Sequence, residues 1–185
     1  MSQIAAIFAR WRVRLGYLLA IFVLVFAQPT PQFIFIGAII GLFGLWLRAY
    51  AAGYLHKQEV LTVTGPYAHT RNPLYLGSAI LALGAGVATR SWISAAILLV
   101  YFAAVYSVVM RREEGELFGH HGQAFREYAG AVPLFFPRIT AAKLAGASAG
   151  QFSFAQYKKN HEYQAALGYL VLLLALLIIW WLRLH

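Results

Sequence analysis

A chain of 185 residues has single-domain length, and here 61% of the residues are hydrophobic and only 11% are charged. Soluble domains carry about 25% charged residues, so lipid rather than water is the expected solvent. The lack of cysteine excludes disulfides, thiolate nucleophiles and cysteine-ligated zinc or iron–sulfur sites. The formal charge of +9 is read as Lys and Arg holding helix ends near anionic lipid, not as a nucleic-acid footprint.

Apolar runs succeed one another along the chain at Val13–Gln28, Phe33–Leu47, Leu74–Thr89, Trp92–Met110 and Ala165–Leu182. A span needs about 20 residues, so flanking Arg, Tyr and Gln complete the shorter runs. The expected spans are 13–28, 33–50, 74–89, 92–110 and 163–183. The predicted fold is therefore all-α, a polytopic membrane helix bundle of about five transmembrane helices forming one membrane domain over residues 1–185. The first run comes after a basic segment, but Gln28-Pro29-Thr30-Pro31 is a poor small-residue cleavage site, so Leu15–Ala27 reads as a retained helix.

Pro29 and Pro31, and later Arg90-Ser91, mark connections short enough only for antiparallel helical hairpins. The connections 51–73 and 111–160 are long and polar, and long loops in compact domains are often functional. Ala145–Ser153 is rich in small residues and reads as a linker, with the last helix an appendage to a four-helix core. Gly37 with Gly41, and Ser78 with Ala82, are small-xxx-small pairs suited to close helix packing. Trp46, Trp92, Trp180 and Trp181 fall near span ends, where an interfacial aromatic belt belongs.

Charge placement orients the bundle. With the amino terminus in the cytoplasm, Arg10, Arg12, Arg14, Arg48, Lys57, Arg71, Arg111, Arg112, Arg126, Arg138, Lys143, Lys158 and Lys159 are all cytoplasmic. Of the 15 Lys and Arg, only Arg90 and Arg183 fall outside, as the positive-inside rule requires. All six acidic residues are cytoplasmic as well, so those loops carry the polar chemistry.

Two clusters stand out there. The first runs from Thr62 to Gly77. Its Gly65-Pro66 is a turn signal, and Asn72-Pro73 is a helix start with Asn as cap and Pro at the first position. A helix amino terminus offers free N–H groups to an anion, and Arg71 adds a planar bidentate donor beside it. The second cluster is Arg111-Arg112-Glu113-Glu114 with Leu117, then Gly122, Tyr128, Val132-Pro133 and Phe136-Pro137-Arg138. A helical hairpin joins the clusters, so they are expected at one membrane face around a shared polar pocket. On spacing alone, Arg112 and Glu114 serve equally well as solvated helix-end charges, and Asn72-Pro73 as a plain cap.

Together the clusters resemble the isoprenylcysteine carboxyl methyltransferase and phospholipid methyltransferase superfamily. The resemblance rests on Gly65-Pro66-Tyr67, Arg71-Asn72-Pro73-Leu74-Tyr75-Leu76-Gly77, Glu113-Glu114, Leu117, His121-Gly122, Phe125, Tyr128, Val132-Pro133 and Pro137, and covers about half the chain, Arg48–Arg138. Asn72 stands where the prenylcysteine enzymes usually have His, His121 where Phe is usual and Phe125 where Tyr is common.

The resemblance implies S-adenosylmethionine as methyl donor, S-adenosylhomocysteine as product, and a lipophilic acceptor entering from the bilayer. An isoprenylcysteine-like carboxylate is the first expectation and a phospholipid amine the alternative. It further implies cofactor contacts from Leu61, Gly65, Tyr67, His69, Asn72, Pro73, Tyr75, Glu113 and Glu114. Within that set, Asn72, Arg71 or Tyr75 would meet the methionine carboxylate at the Pro73 helix start. Glu114, with Glu113 second, would accept from the ribose hydroxyls, and Tyr67, His69 and Leu61 would enclose the adenine. Arg71 or Arg112 would orient a carboxylate acceptor, whereas an amine or hydroxyl acceptor needs His69 or Glu114 as base. No metal is expected, because adjacent histidines such as His120-His121 rarely chelate one ion. Two rival classes remain. An NADPH-dependent sterol-type reductase shares a related carboxyl-terminal block but is longer; transport would favour ionisable residues within the spans, whose centres hold essentially none, and a non-enzymatic membrane scaffold stays open.

Because the chain lacks cysteine, single-cysteine variants report topology cleanly. In intact cells a membrane-impermeant maleimide is expected to label Ser91→Cys and not Thr140→Cys. The reverse pattern contradicts the orientation.

Overall fold

The computed structural model describes residues 18–56, 60–144 and 150–185. Arg10, Arg12, Arg14, Lys57, residues 13–17 of the first expected span and residues 145–149 of the linker lie outside the described residues. Within them all regular structure is helical. The elements are α1 (18–26), α2 (Pro31–Tyr54), a 3-10 turn (Gly65–Ala68), α3 (Pro73–Thr89), α4 (Trp92–Ala131), α5 (Phe154–Lys159) and α6 (Tyr163–Leu182). Helices α2, α4 and α6 are long and apolar enough to cross a membrane, and α3 is a shorter apolar helix. The expected all-α membrane fold is thus the observed one.

The chain packs as two compact units. The first comprises residues to Leu42, Ala79–Val109 and Gly168–His185. Its core is small. Ala27, Ile34, Ala88 and Leu176 are buried, with Leu24, Leu172 and Leu173 packed around them. Side chains such as Ile21, Phe35, Leu42, Leu99 and Ile178 face outward, as lipid contact demands. Small residues bring the helices together. A Cβ on Gly84 would lie 2.8 Å from the Gly37 carbonyl oxygen, 2.9 Å from the Gly41 nitrogen and 2.6 Å from the Tyr169 hydroxyl. That hydroxyl donates to the Gly37 carbonyl at 2.8 Å. The Gly37/Gly41 pair therefore acts as a contact seam. The last helix is not an appendage, because Tyr169 and Leu176 bury it in this core.

The second unit comprises Phe43–Ser78 and Met110–Leu167. Here α4 continues past Met110, where its apolar run ends, as a polar helix. The pairs Arg112–Glu116 and Gln123–Glu127, one turn apart, support its exposed face. At Gly122 the backbone turns to φ 49°, ψ −118°, a conformation essentially reserved for glycine, and the helix resumes to Ala131. The resumed turn buries Phe125, Tyr128 and Val132 against Leu61, Val63 and Leu117. The segment from Gly150 to Glu162 runs along the carboxyl end of α2. Ser153 N–H donates to the Gly53 carbonyl at 3.0 Å, and Asn160 Nδ2 donates to the carbonyls of Ala52 and Leu55 at 2.8 and 3.0 Å. These bonds satisfy the carbonyls that a helix end leaves without partners.

Gly84→Leu is expected to lower the melting midpoint of the detergent-solubilised protein. The neighbours at 2.8 and 2.9 Å are backbone atoms that cannot move aside, and overpacking of this kind costs about 1–3 kcal/mol. An unchanged midpoint would mean the seam is not formed.

Candidate functional site

The second unit brings the two polar clusters into contact through a zipper of loop backbone. Arg71 N–H donates to the Pro133 carbonyl, Arg138 N–H to the His69 carbonyl and Ala142 N–H to the Ala68 carbonyl, each at 2.9 Å. Side chains reinforce it. The Thr70 hydroxyl, buried, reaches the carbonyls of Phe135 at 2.9 Å and Leu134 at 3.3 Å, and Asn72 Nδ2 donates to the Leu134 carbonyl at 3.0 Å. Tyr128 donates its hydroxyl to the Tyr67 carbonyl at 2.8 Å.

Gly65 opens the 3-10 turn at φ +58°, with the Tyr54 ring so close that a Cβ would lie 2.5 Å from it. Only glycine fits there, for backbone and for space. The turn buries Pro66, Tyr67 and Ala68. Residues 69–72 then carry the chain into α3, which starts at Pro73 as its sequence predicts.

Charged groups join the clusters directly. Arg71 Nη1 forms an ion pair with Glu114, their side chains 16% and 24% exposed. The Tyr75 hydroxyl donates to Glu113 at 2.5 Å. Among the described residues of this unit, the buried atoms Tyr67 Oη and Arg71 Nε have no hydrogen-bond partner, while Glu114 Oε1 is held by the Arg71 ion pair. Buried polar atoms are normally satisfied, so such a group points to an absent ligand or water. Burial pushes the Tyr67 phenol well above its usual pKa. Tyr128, then Glu162, Glu113 and Tyr75, push it the same way, so it stays a neutral donor.

The remaining expected site residues divide. Leu61 packs on the Phe125–Tyr128–Val132 cluster. His69 is held through Nδ1 by the Arg138 carbonyl at 2.9 Å. Asn72 uses its side-chain amide to hold the loop after α4. Arg112 is not brought to this cluster: it pairs with Glu116 on an exposed helix face at 2.8 Å.

Sequence reasoning missed three residues. Arg48 forms a fork on Glu162, with Nε to Oε2 at 3.0 Å and Nη2 to Oε1 at 2.9 Å, and its Nη1 reaches Ser78 and the Leu74 carbonyl. The sequence marks Arg48 only as a helix-end charge and Ser78 only as a packing residue, while Glu162 lies in no motif. An arginine just beyond an apolar run, with a serine one helical turn into the next span, is the available signal.

These features define an all-helical membrane protein with a paired-charge polar site built from loop and helix-end residues. The chain belongs to the phospholipid methyltransferase family, which residues 11–123 match. Three curated relatives are similar to part of the chain. It is 38% identical over 96 residues to the nickel-cobalt-cadmium resistance protein NccN of Alcaligenes xylosoxydans xylosoxydans, covering 52% of this chain and 44% of that protein. It is 38% identical over 96 residues to the cobalt-zinc-cadmium resistance protein CzcN of Cupriavidus metallidurans, covering 52% and 43%. It is 29% identical over 84 residues to the protein-S-isoprenylcysteine O-methyltransferase of Schizosaccharomyces pombe, covering 45% and 36%. The matches thus span less than half the length of each relative. No solved structure matches the chain significantly. The superfamily resemblance carried by the two clusters is borne out by the family match and the isoprenylcysteine relative.

Thr70→Val should lower stability by about 1–3 kcal/mol, because it removes the hydroxyl that donates to the Phe135 carbonyl and accepts from the buried Asn72 amide. Denaturant titration in detergent checks it. A change near zero would show that the zipper does not hold the clusters together.

Proposed function

We propose that this chain is an integral membrane methyltransferase acting on a lipophilic acceptor. The observation that carries the reading is the Arg71–Glu114 ion pair, in a unit where two buried polar atoms, Tyr67 Oη and Arg71 Nε, lack a hydrogen-bond partner among the described residues. Family membership and the isoprenylcysteine relative support the same reaction class.

The donor set fits S-adenosylmethionine. Glu114 is a carboxylate acceptor for ribose hydroxyls, and Arg71 a guanidinium donor for the methionine carboxylate. Tyr67 offers a neutral hydroxyl that nothing else in the described residues uses. When bound, the cofactor supplies a sulfonium methyl open to in-line attack. The residues contribute positioning, which can supply much of the rate of such a transfer. The segments 51–73 and 111–160, the second of them helical to Ala131 rather than a loop, would close the site on the cytoplasmic side.

A carboxylate acceptor, isoprenylcysteine-like, is the first reading, since it is nucleophilic without a base and one relative is an isoprenylcysteine O-methyltransferase. One observation favours a phospholipid amine as second reading. His69 turns Nδ1 toward the Arg138 carbonyl, so the neutral ring carries its hydrogen there and keeps a lone pair on Nε2. That nitrogen is a candidate base for an amine. Transfer of labelled methyl from S-adenosylmethionine to prenylcysteine analogues and to aminophospholipids separates the two.

Tyr67→Phe distinguishes a ligand-facing hydroxyl from a structural one. The variant should lose about tenfold in S-adenosylhomocysteine affinity by calorimetry. Its melting midpoint should hold or rise, because an unpaired buried hydroxyl is removed. Glu114→Gln should also weaken binding in a folded protein. Unchanged affinity in both variants would overturn the assignment.

A further inference from the structure

The family match ends at residue 123, yet a carboxylate from beyond it reaches into the same unit. Glu162, between α5 and α6, takes both fork arms of Arg48 on α2, at 3.0 and 2.9 Å. The two side chains, Arg48 and Glu162, are only 19% and 10% exposed. The third nitrogen of Arg48 bonds Ser78 and the Leu74 carbonyl, and Ser78 itself donates to that carbonyl at 3.0 Å. Arg48 therefore ties Glu162 to the first turns of α3. Its stem lies flat on Gly77, where a Cβ would fall 2.5 Å from Arg48 Cγ. That first turn carries Asn72, Pro73 and Tyr75, and the Leu76 amide bonds the Asn72 carbonyl at 3.0 Å.

A fork aims a guanidinium by fixing its plane, so the direction of the third nitrogen depends on the carboxylate. Removing the carboxylate charge leaves a poorly solvated cation free to turn toward other acceptors. Glu162 also acts on the unpartnered Tyr67 phenol, along with Glu113. It is thus electrically part of the surroundings from which the cofactor reading is built, on which this inference rests.

We propose that Glu162 is a positioning residue of the site: acting through Arg48, it sets the first turn of α3 and so the groups on that turn. The alternative role is a tether that merely fastens the segment before α6 to α2. The segment already has that tether in Asn160 and Gln156, which bond the Ala52 and Leu55 carbonyls. The two roles therefore separate by mutation.

The test compares wild type, Glu162→Gln and Asn160→Ala as full chains in detergent, by hydrogen exchange without ligand and by S-adenosylhomocysteine calorimetry. Glutamine keeps the shape of Glu162 and removes its charge. Exchange of the Leu76, Gly77 and Ser78 amides is expected to quicken about tenfold in Glu162→Gln and stay at the wild-type rate in Asn160→Ala. Affinity should fall about tenfold in the first variant alone. Unchanged α3 exchange in Glu162→Gln overturns the proposal. So does equal quickening in both variants, which is the signature of a tether. If wild type fails to bind S-adenosylhomocysteine, the cofactor reading falls, and the exchange result alone decides the role of Glu162.

Discussion

A charge taken out of water must be paired, and the second unit is organised around that requirement. Arg71 with Glu114 and Arg48 with Glu162 are, among the described residues, the ion pairs in which both side chains are at most a quarter exposed. Removing one partner of such a pair leaves the other charge poorly solvated. Each pair joins segments far apart in the chain. Arg71, just ahead of α3, meets the polar extension of α4; Arg48, on α2, meets the segment before α6. The loop backbone between them is satisfied by its own zipper, so the ion pairs are free to define geometry rather than to plug gaps. Among the described residues of this unit, Tyr67 Oη and Arg71 Nε stand out against this pairing as buried atoms without a hydrogen-bond partner.

The first unit solves a different problem with different residues. Lipid gives helices no hydrophobic reason to associate, so small side chains and backbone contacts must do it. Gly37, Gly41 and Gly84 let helices approach until backbone atoms nearly touch, and the Tyr169 hydroxyl bonds the Gly37 carbonyl at that seam. Large apolar side chains then point outward. A pocket of about 410 Å³ in this unit is lined by Val25, Phe26, Gln28, Ser91, Ile93 and Arg183 among others, none of them a candidate site residue. Among the described residues no group of His, Asp and Glu stands close enough to hold a metal ion.

How much is legible in the sequence depends on which signals are local. Hydropathy and the Asn-Pro dipeptide place the start of α3 at Pro73, because proline at a first helical position acts within a residue or two. The order of Arg-Asn-Pro and Glu-Glu motifs carries the family. The meeting of the two clusters that hold Arg71 and Glu114 is expected from the hairpin between them. Arg48 with Glu162 is not, because 114 residues separate them and no motif marks either one. Arg112 shows the opposite failure. It lies beside Glu113 and Glu114 in sequence, but it turns one helical step along to Glu116, onto an exposed face. The last helix is underrated by its sequence because a linker rich in small residues carries no information about the helix beyond it. Tyr169 and Leu176 nonetheless bind that helix into a core.

The most direct test is an experimental structure of the full chain with S-adenosylhomocysteine bound in a lipid nanodisc. The account predicts polar atoms of the ligand within hydrogen-bond distance of Tyr67 Oη and Glu114, with the Arg71–Glu114 contact retained or shared with the ligand. A ligand bound elsewhere, with Tyr67 Oη still unpartnered, would contradict it.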